Sequence, residues 1–199
     1  MRKIAILGGT FNPIHNGHLH LIRRFSEQLG FDLVLLIPAK TPPHKAADHL
    51  AAAQHRLQMC RLAVQTVGYQ VSDLEICRAT PSYTVDTLLQ LHQQYPGDAL
   101  YFITGEDMFL SLLSWRQPQR MFQLATICSA PRSATGMARM EQYAKQLKVY
   151  GAHTILQAID FLPISSTIVR EAVRQGKDFS QFVPASVADY ITQHNLYKE

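Results

Sequence analysis

Short apolar runs alternate along this chain with longer stretches of helical periodicity, and glycine, proline and small polar residues mark the changes between them. Ile4 to Leu7 reads as a buried parallel strand, and Leu19 to Leu29 as an amphipathic helix. Leu33 to Ile37 forms a second apolar run, followed by the breaker-rich segment Pro38 to Lys45. Helical patterning resumes from about Ala52 to Val67, and the mixed segment Gln70 to Ile76 predicts an exposed or edge strand. The periodic residues Val85, Leu88, Leu89 and Leu91 follow Ser82-Tyr83-Thr84, in which Ser82 or Thr84 is the expected N-cap. Asp98 to Thr104, Ala125 to Cys128 and His153 to Leu156 are further strand candidates, with a helix around Met137 to Lys148. Phe161 to Ile164 then leads into Ser165-Ser166-Thr167 and a helix carrying Arg170 and Arg174. A final helix is expected from Pro184, suited to a first turn, to His194.

Strands alternating with helices predict an α/β fold, a mostly parallel twisted sheet with helices on both faces. No repeat, low-complexity tract or linker divides the chain, so residues 1–199 are expected to form one domain with a C-terminal helical portion from about Ile164. A content of 47% hydrophobic and 17% charged residues is ordinary for a globular protein with one sizeable core. The net charge of +4 suits anionic small molecules and is too weak to argue for nucleic acid. Cys60, Cys77 and Cys128 form no CxxC pattern, which suggests neither a disulfide framework nor a zinc cluster and fits a reducing cytoplasm. The amino terminus runs straight into a strand and no apolar run approaches a bilayer span, so neither a leader nor a membrane partner is expected. Self-association into a homo-oligomer is compatible with these letters.

Candidate chemistry concentrates in Gly8-Gly9-Thr10-Phe11-Asn12-Pro13-Ile14-His15-Asn16-Gly17-His18, at a strand-to-helix crossing. Backbone N–H groups and the positive end of the helix there face an anion. The glycine spacing does not match GxGxxG, and no lysine follows to complete a P-loop. Histidine is left as the charge carrier: His15 and His18 can both point toward one anionic group, Gly17 gives a ligand close access, and a protonated His18 would donate to a phosphoryl oxygen. A glycine-rich turn that only needs φ > 0 is the bland alternative. Zinc on His15, His18 and His20 fits less well, since helix positions two apart point to different faces and no fourth ligand is near. Ser165-Ser166-Thr167 with Arg170 repeats the anion logic, or is simply a capped helix with a surface arginine.

The pairing of GGTFNPIHNGH with ISSTIVR, with βαβ patterning between them, resembles the Rossmann-like nucleotidylyltransferase superfamily of HxGH enzymes. PPHK at Pro42 to Lys45, SYTVDTL at Ser82 to Leu88, GEDMF at Gly105 to Phe109, Trp115 and the terminal LYKE narrow the resemblance to the bacterial nicotinate-nucleotide adenylyltransferase family, over nearly the whole chain. The resemblance implies that ATP and nicotinate mononucleotide give deamido-NAD and pyrophosphate, without an enzyme nucleophile. It implies catalytic roles for His15, His18 and Arg170, with His18 at the α-phosphoryl group and Arg170 supporting pyrophosphate departure. Gly8, Gly9, Thr10 and Phe11, with Ile164, Ser165, Ser166 and Thr167, would bind the ATP phosphates, and Gly105 and Asp107 the adenosine. Tyr83, Thr84 and Trp115 would form the pyridine pocket, and His44 and Lys45 would grip the mononucleotide phosphate. Mg2+ would enter with ATP, held chiefly by phosphate oxygens. Two departures bear on affinity and substrate choice: Ser129-Ala130-Pro131-Arg132-Ser133 where the family usually has arginine followed by proline and glycine, and Ala39 where asparagine is common. A related adenylyltransferase using nicotinamide mononucleotide or phosphopantetheine, and a non-catalytic nucleotide-binding regulator, are the alternatives.

Overall fold

Apolar runs without polar alternation become the inner strands, because a parallel strand covered on both faces has no solvent side. A computed structural model describes residues 1–40 and 50–198. Its elements in chain order are β1 (Lys3–Gly9), α1 (Asn16–Leu29), β2 (Leu33–Pro38), α2 (Ala53–Val64), β3 (Gln70–Val71), α3 (Thr84–Gln94), β4 (Ala99–Gly105), α4 (Glu106–Phe109), α5 (Pro118–Leu124), β5 (Ala125–Ala130), α6 (Ala134–Val149), β6 (Thr154–Leu156), α7 (Ser166–Arg174) and α8 (Ala185–Gln193). The six strands are ordered β3-β2-β1-β4-β5-β6, the Rossmann order. β1 pairs parallel with β4 from Lys3↔Ala99 to Leu7↔Ile103, and β4 with β5, and β5 with β6, likewise. The order reverses between β1 and β4, and in such sheets ligands bind beyond the carboxyl ends of the strands at the reversal.

The chain forms two compact units, 1–8, 21–35 and 83–161 in the first and 9–20, 36–82 and 162–199 in the second. In the first, Ile4, Ile6, Phe25, Leu88, Ile103 and Ile127 are almost wholly buried; in the second, Ile14, Leu36, Met59, Val169 and Val187 are. Each unit therefore excludes water from apolar surface of its own.

Local chemistry explains where the observed elements depart from the expected ones. The strand predicted over Gln70 to Ile76 is only Gln70–Val71, because Ser72 and Asp73 accept from Leu74 N and Cys77 N and turn the chain instead. Helix α1 begins three residues before Leu19, at Asn16, so the Asn-Gly pair of poor helix formers lies inside its first turn. Neither Ser82 nor Thr84 caps α3: Tyr83 is the N-cap, Thr84 is the first helical residue, and the Ser82 hydroxyl accepts from Lys40 N at 3.0 Å. Pro184 is the N-cap of α8 rather than its first residue. Helices α4 and α5 are too short for periodicity to reveal, although Pro118 opens α5 where a missing N–H costs nothing. Cys60 and Cys128 are buried, and burial pushes the Cys128 thiol up to about 12; Cys77 is exposed. Among the described residues no helix is long and apolar enough to cross a membrane.

Candidate active site

The segment after β1 is shaped by Gly9 and Phe11. A Cβ on Gly9 would lie 3.0 Å from the Phe11 ring, so glycine lets that ring fold back over the loop without being displaced. Phe11 itself has φ +48°, a left-handed conformation held by burial of its side chain to 2% exposure. The His15 carbonyl accepts from His18 N at 2.9 Å and Leu19 N at 3.3 Å, which makes His15-Asn16-Gly17-His18 the opening turn of α1. Gly17 leaves room for a neighbour inside the protein: a Cβ would press on the His15 ring at 3.0 Å from Nδ1 and touch Ile164 O at 3.5 Å.

The two imidazoles stack, with centroids 3.6 Å apart and planes at 28°, and the Phe11 ring meets His18 edge-on at 5.1 Å. His15 N donates to His18 Nδ1 at 3.2 Å. With Nδ1 accepting, a neutral His18 carries its proton on Nε2, the ring nitrogen left to donate to a ligand. Protonating both stacked rings would set like charges against each other.

The second motif docks onto this loop. Ser165 caps α7 by accepting from Ile168 N at 3.2 Å, and Ser166 Oγ donates to Pro13 O at 2.9 Å. Arg170 Nη1 donates to Asn12 O at 2.8 Å and Nη2 to Thr167 Oγ1 at 3.3 Å. Ile164 N turns back to Leu162 O at 2.7 Å. Residues 153 positions apart in the chain are thus bound together through Ser166 and Pro13. Ser166 spends its O–H on Pro13 O, whereas the Ser165 and Thr167 oxygens accept, so their O–H groups can still donate to an anion beside the helix-start N–H groups of Ser166 and Thr167.

Other predicted residues lie in the first unit. Gly8, at the end of β1, packs with its Cβ position 3.4 Å from the Phe102 ring. Past Gly105, Asp107 pairs with Arg132 at 2.7 Å, both side chains more than half exposed. Buried Glu106 accepts from Arg132 N at 2.7 Å at the start of α6, where a carboxylate is favoured. A Cβ on Gly136 would lie 2.8 and 2.9 Å from the Glu106 oxygens. Gly136→Ala should therefore destabilise the protein by about 1 kcal/mol, overpacking outweighing the gain in helix propensity; urea unfolding measures it, and a stability gain would show that Glu106 yields freely.

Trp115 Nε1 donates to Ser111 Oγ at 3.1 Å, and the indole meets Phe102 edge-on at 6.1 Å. The Arg116 guanidinium lies 4.6 Å over the Tyr83 ring, a cation beside the predicted pyridine-pocket residues that sequence reasoning missed. Thr84 opens α3. His44 and Lys45 lie outside the described residues.

A family model described as cytidylyltransferase-like matches residues 6–172. The "Probable nicotinate-nucleotide adenylyltransferase" of Carboxydothermus hydrogenoformans is 38% identical over 198 residues, 98% of each chain. The protein of that name from Dehalococcoides mccartyi is 39% identical over 197 residues, covering 98% of this chain and 97% of its own. The chain belongs to the nicotinate-nucleotide adenylyltransferase family. Two structures of Plasmodium falciparum nicotinic acid mononucleotide adenylyltransferase, complexed with APC and with NaAD, share its fold at TM-scores of 0.79 and 0.80 and 20% identity, covering 99% of this chain and 98% of theirs.

Both departures from the family pattern have local accounts. Ser129 is fully buried in β5 and its hydroxyl donates to Thr104 O at 2.9 Å, so the position is an interior one. Arg132 brings a guanidinium to Asp107 and to within 5.9 Å of the Phe161 ring. Ala39 is buried, donates from N to Gly9 O at 2.9 Å, and is followed by Lys40, whose ammonium donates to Arg78 O at 2.9 Å. The loop also carries Asn12, a residue without an assigned role. Asn12 Oδ1 accepts from Ala51 N at 3.0 Å and from Tyr197 OH at 2.9 Å. Burial holds the Tyr197 phenol above its ordinary range, which keeps it a donor.

Proposed function

We propose that this chain transfers the adenylyl group of ATP to nicotinate mononucleotide, giving deamido-NAD and pyrophosphate in NAD biosynthesis. The observation that carries the reading is the docking of Ser166 and Arg170 onto Pro13 and Asn12, which joins the HNGH turn and the α7 start into one anion-binding assembly. Full-length likeness to the curated nicotinate-nucleotide adenylyltransferases supports the choice of reaction.

In this reading the mononucleotide 5′-phosphate attacks the ATP α-phosphorus in line, the bond to the β,γ-diphosphate breaks, and pyrophosphate leaves. The chain supplies position and charge. The backbone of Gly9, Thr10 and Phe11 and the first turn of α7 bind phosphate oxygens, His18 donates from Nε2 to the α-phosphoryl group, His15 backs its ring, and Arg170 faces the departing diphosphate. Gly105 and Asp107 receive the adenosine, for which Asp107 exchanges Arg132 for a ribose hydroxyl. Tyr83, Thr84 and Trp115 receive the pyridine, and the nearby Arg116 cation favours a carboxylate over an amide. His44 and Lys45 complete the acceptor side.

Mg2+ would enter with ATP, held chiefly through the phosphate oxygens, and would supply further charge neutralisation. The reaction needs neither nucleic acid nor membrane, suits a cytoplasmic protein with free thiols, and treats the 199 residues as one nucleotidylyltransferase domain. Pyrophosphate release measured with ATP and each acceptor tests the reading. Nicotinate mononucleotide should be preferred; preference for nicotinamide mononucleotide or phosphopantetheine would reassign the acceptor, and nucleotide binding without release would point to a regulator.

A further inference from the structure

Among the described residues the largest fully buried side chain is a charged one, Arg56, with no solvent exposure. Its hydrogen bonds go to backbone carbonyls: Nε to Ala51 O at 3.0 Å, Nη1 to Thr10 O at 2.7 Å and to Ala39 O at 2.5 Å, and Nη2 to Lys40 O at 2.9 Å. Burying a guanidinium on neutral acceptors is costly, and burial lowers its pKa, so the fork must hold something that apolar packing could not. What it joins is the turn after Gly9, the two residues that follow β2, and Ala51, two residues before α2.

A trans peptide plane points its C=O and its N–H in opposite directions. With Thr10 O held inward by Arg56, the N–H of Phe11 is aimed the other way. Arg170 on Asn12 O and Ser166 on Pro13 O pin the next two carbonyls, and Tyr197 with Ala51 N fixes the Asn12 side chain between them. Every carbonyl from Thr10 to Pro13 except that of Phe11 is thus drawn onto a named donor, away from any anion bound by the loop.

We propose that Arg56 is a positioning residue for adenylyl transfer: by tying down the carbonyls of Thr10, Ala39 and Lys40 it orients the phosphate loop so that its N–H groups face ATP, with Tyr197 as the second tie through Asn12. The inference rests on the function proposed above. Arg56→Lys keeps the charge and loses the fork, so kcat should fall roughly tenfold or more, KM for the mononucleotide should stay within about twofold, and amide hydrogen exchange should accelerate within residues 9–18. Tyr197→Phe removes one O–H donor and should cost roughly fivefold in kcat. Native kcat and native exchange in folded Arg56→Lys overturn the proposal, as does exchange accelerated equally across the whole chain. Should Arg56→Lys not fold, Tyr197→Phe decides it, unchanged kcat being the overturning result. A wild-type protein that releases no pyrophosphate with any acceptor defeats the proposed function instead, and ATP affinity by calorimetry and loop exchange still judge Arg56.

Discussion

His18→Ala should lower kcat for pyrophosphate release about a hundredfold, the loss expected when one donor to a developing oxyanion is removed, roughly 3 kcal/mol. The substitution also removes the acceptor for His15 N and the ring that stacks on His15 and meets Phe11, so part of the loss is disorder at the start of α1. His18→Asn separates the two contributions. Its Oδ1 replaces Nδ1 as acceptor for His15 N, while its shorter amide does not carry a donor out to the Nε2 position. Thermal stability should recover in the asparagine variant and kcat should not. Recovery of kcat by asparagine would make His18 a structural cap, and unchanged kcat in His18→Ala would remove it from the mechanism.

The strands were legible because β1, β2, β4 and β5 are buried on both faces and so write themselves as continuous apolar runs. Both phosphate motifs were legible because glycine, histidine and helix-start hydroxyls are rare in that combination. The inner geometry was not. HNGH reads as a loop since Asn-Gly is a poor helix former, yet the turn belongs to α1, and letters do not tell that Gly17 makes room for His15. The Ser166 hydroxyl donates to Pro13 O, a bond set by a partner 153 residues distant that no local pattern announces.

Arg56 did leave a trace in the sequence. It lies at helical spacing with Met59, Cys60 and Ala63, so a charge occupies the buried stripe of α2. Its acceptors are carbonyls, which every residue carries, and no sequence pattern marks which of them are held. Arg116 was hidden for a similar reason, since its approach to Tyr83 depends on the path of the chain between Gly105 and α5.

Arg170→Ala removes a cation and a brace at once. The guanidinium holds Asn12 O at 2.8 Å and Thr167 Oγ1 at 3.3 Å, and its remaining donors are the ones that can face a departing diphosphate. Charge-assisted hydrogen bonds contribute about 1.5–3 kcal/mol, so kcat should fall on the order of ten- to a hundredfold. Inhibition by added pyrophosphate should weaken by a similar factor, because the product's charge is what the guanidinium meets. Arg170→Lys keeps the charge without the fork and should recover part of the pyrophosphate affinity while leaving Asn12 loosely held. Undiminished pyrophosphate inhibition in Arg170→Ala, with a lowered kcat, would leave Arg170 as a brace on Asn12 alone and would move the neutralisation of the leaving group to the N–H groups at the start of α7.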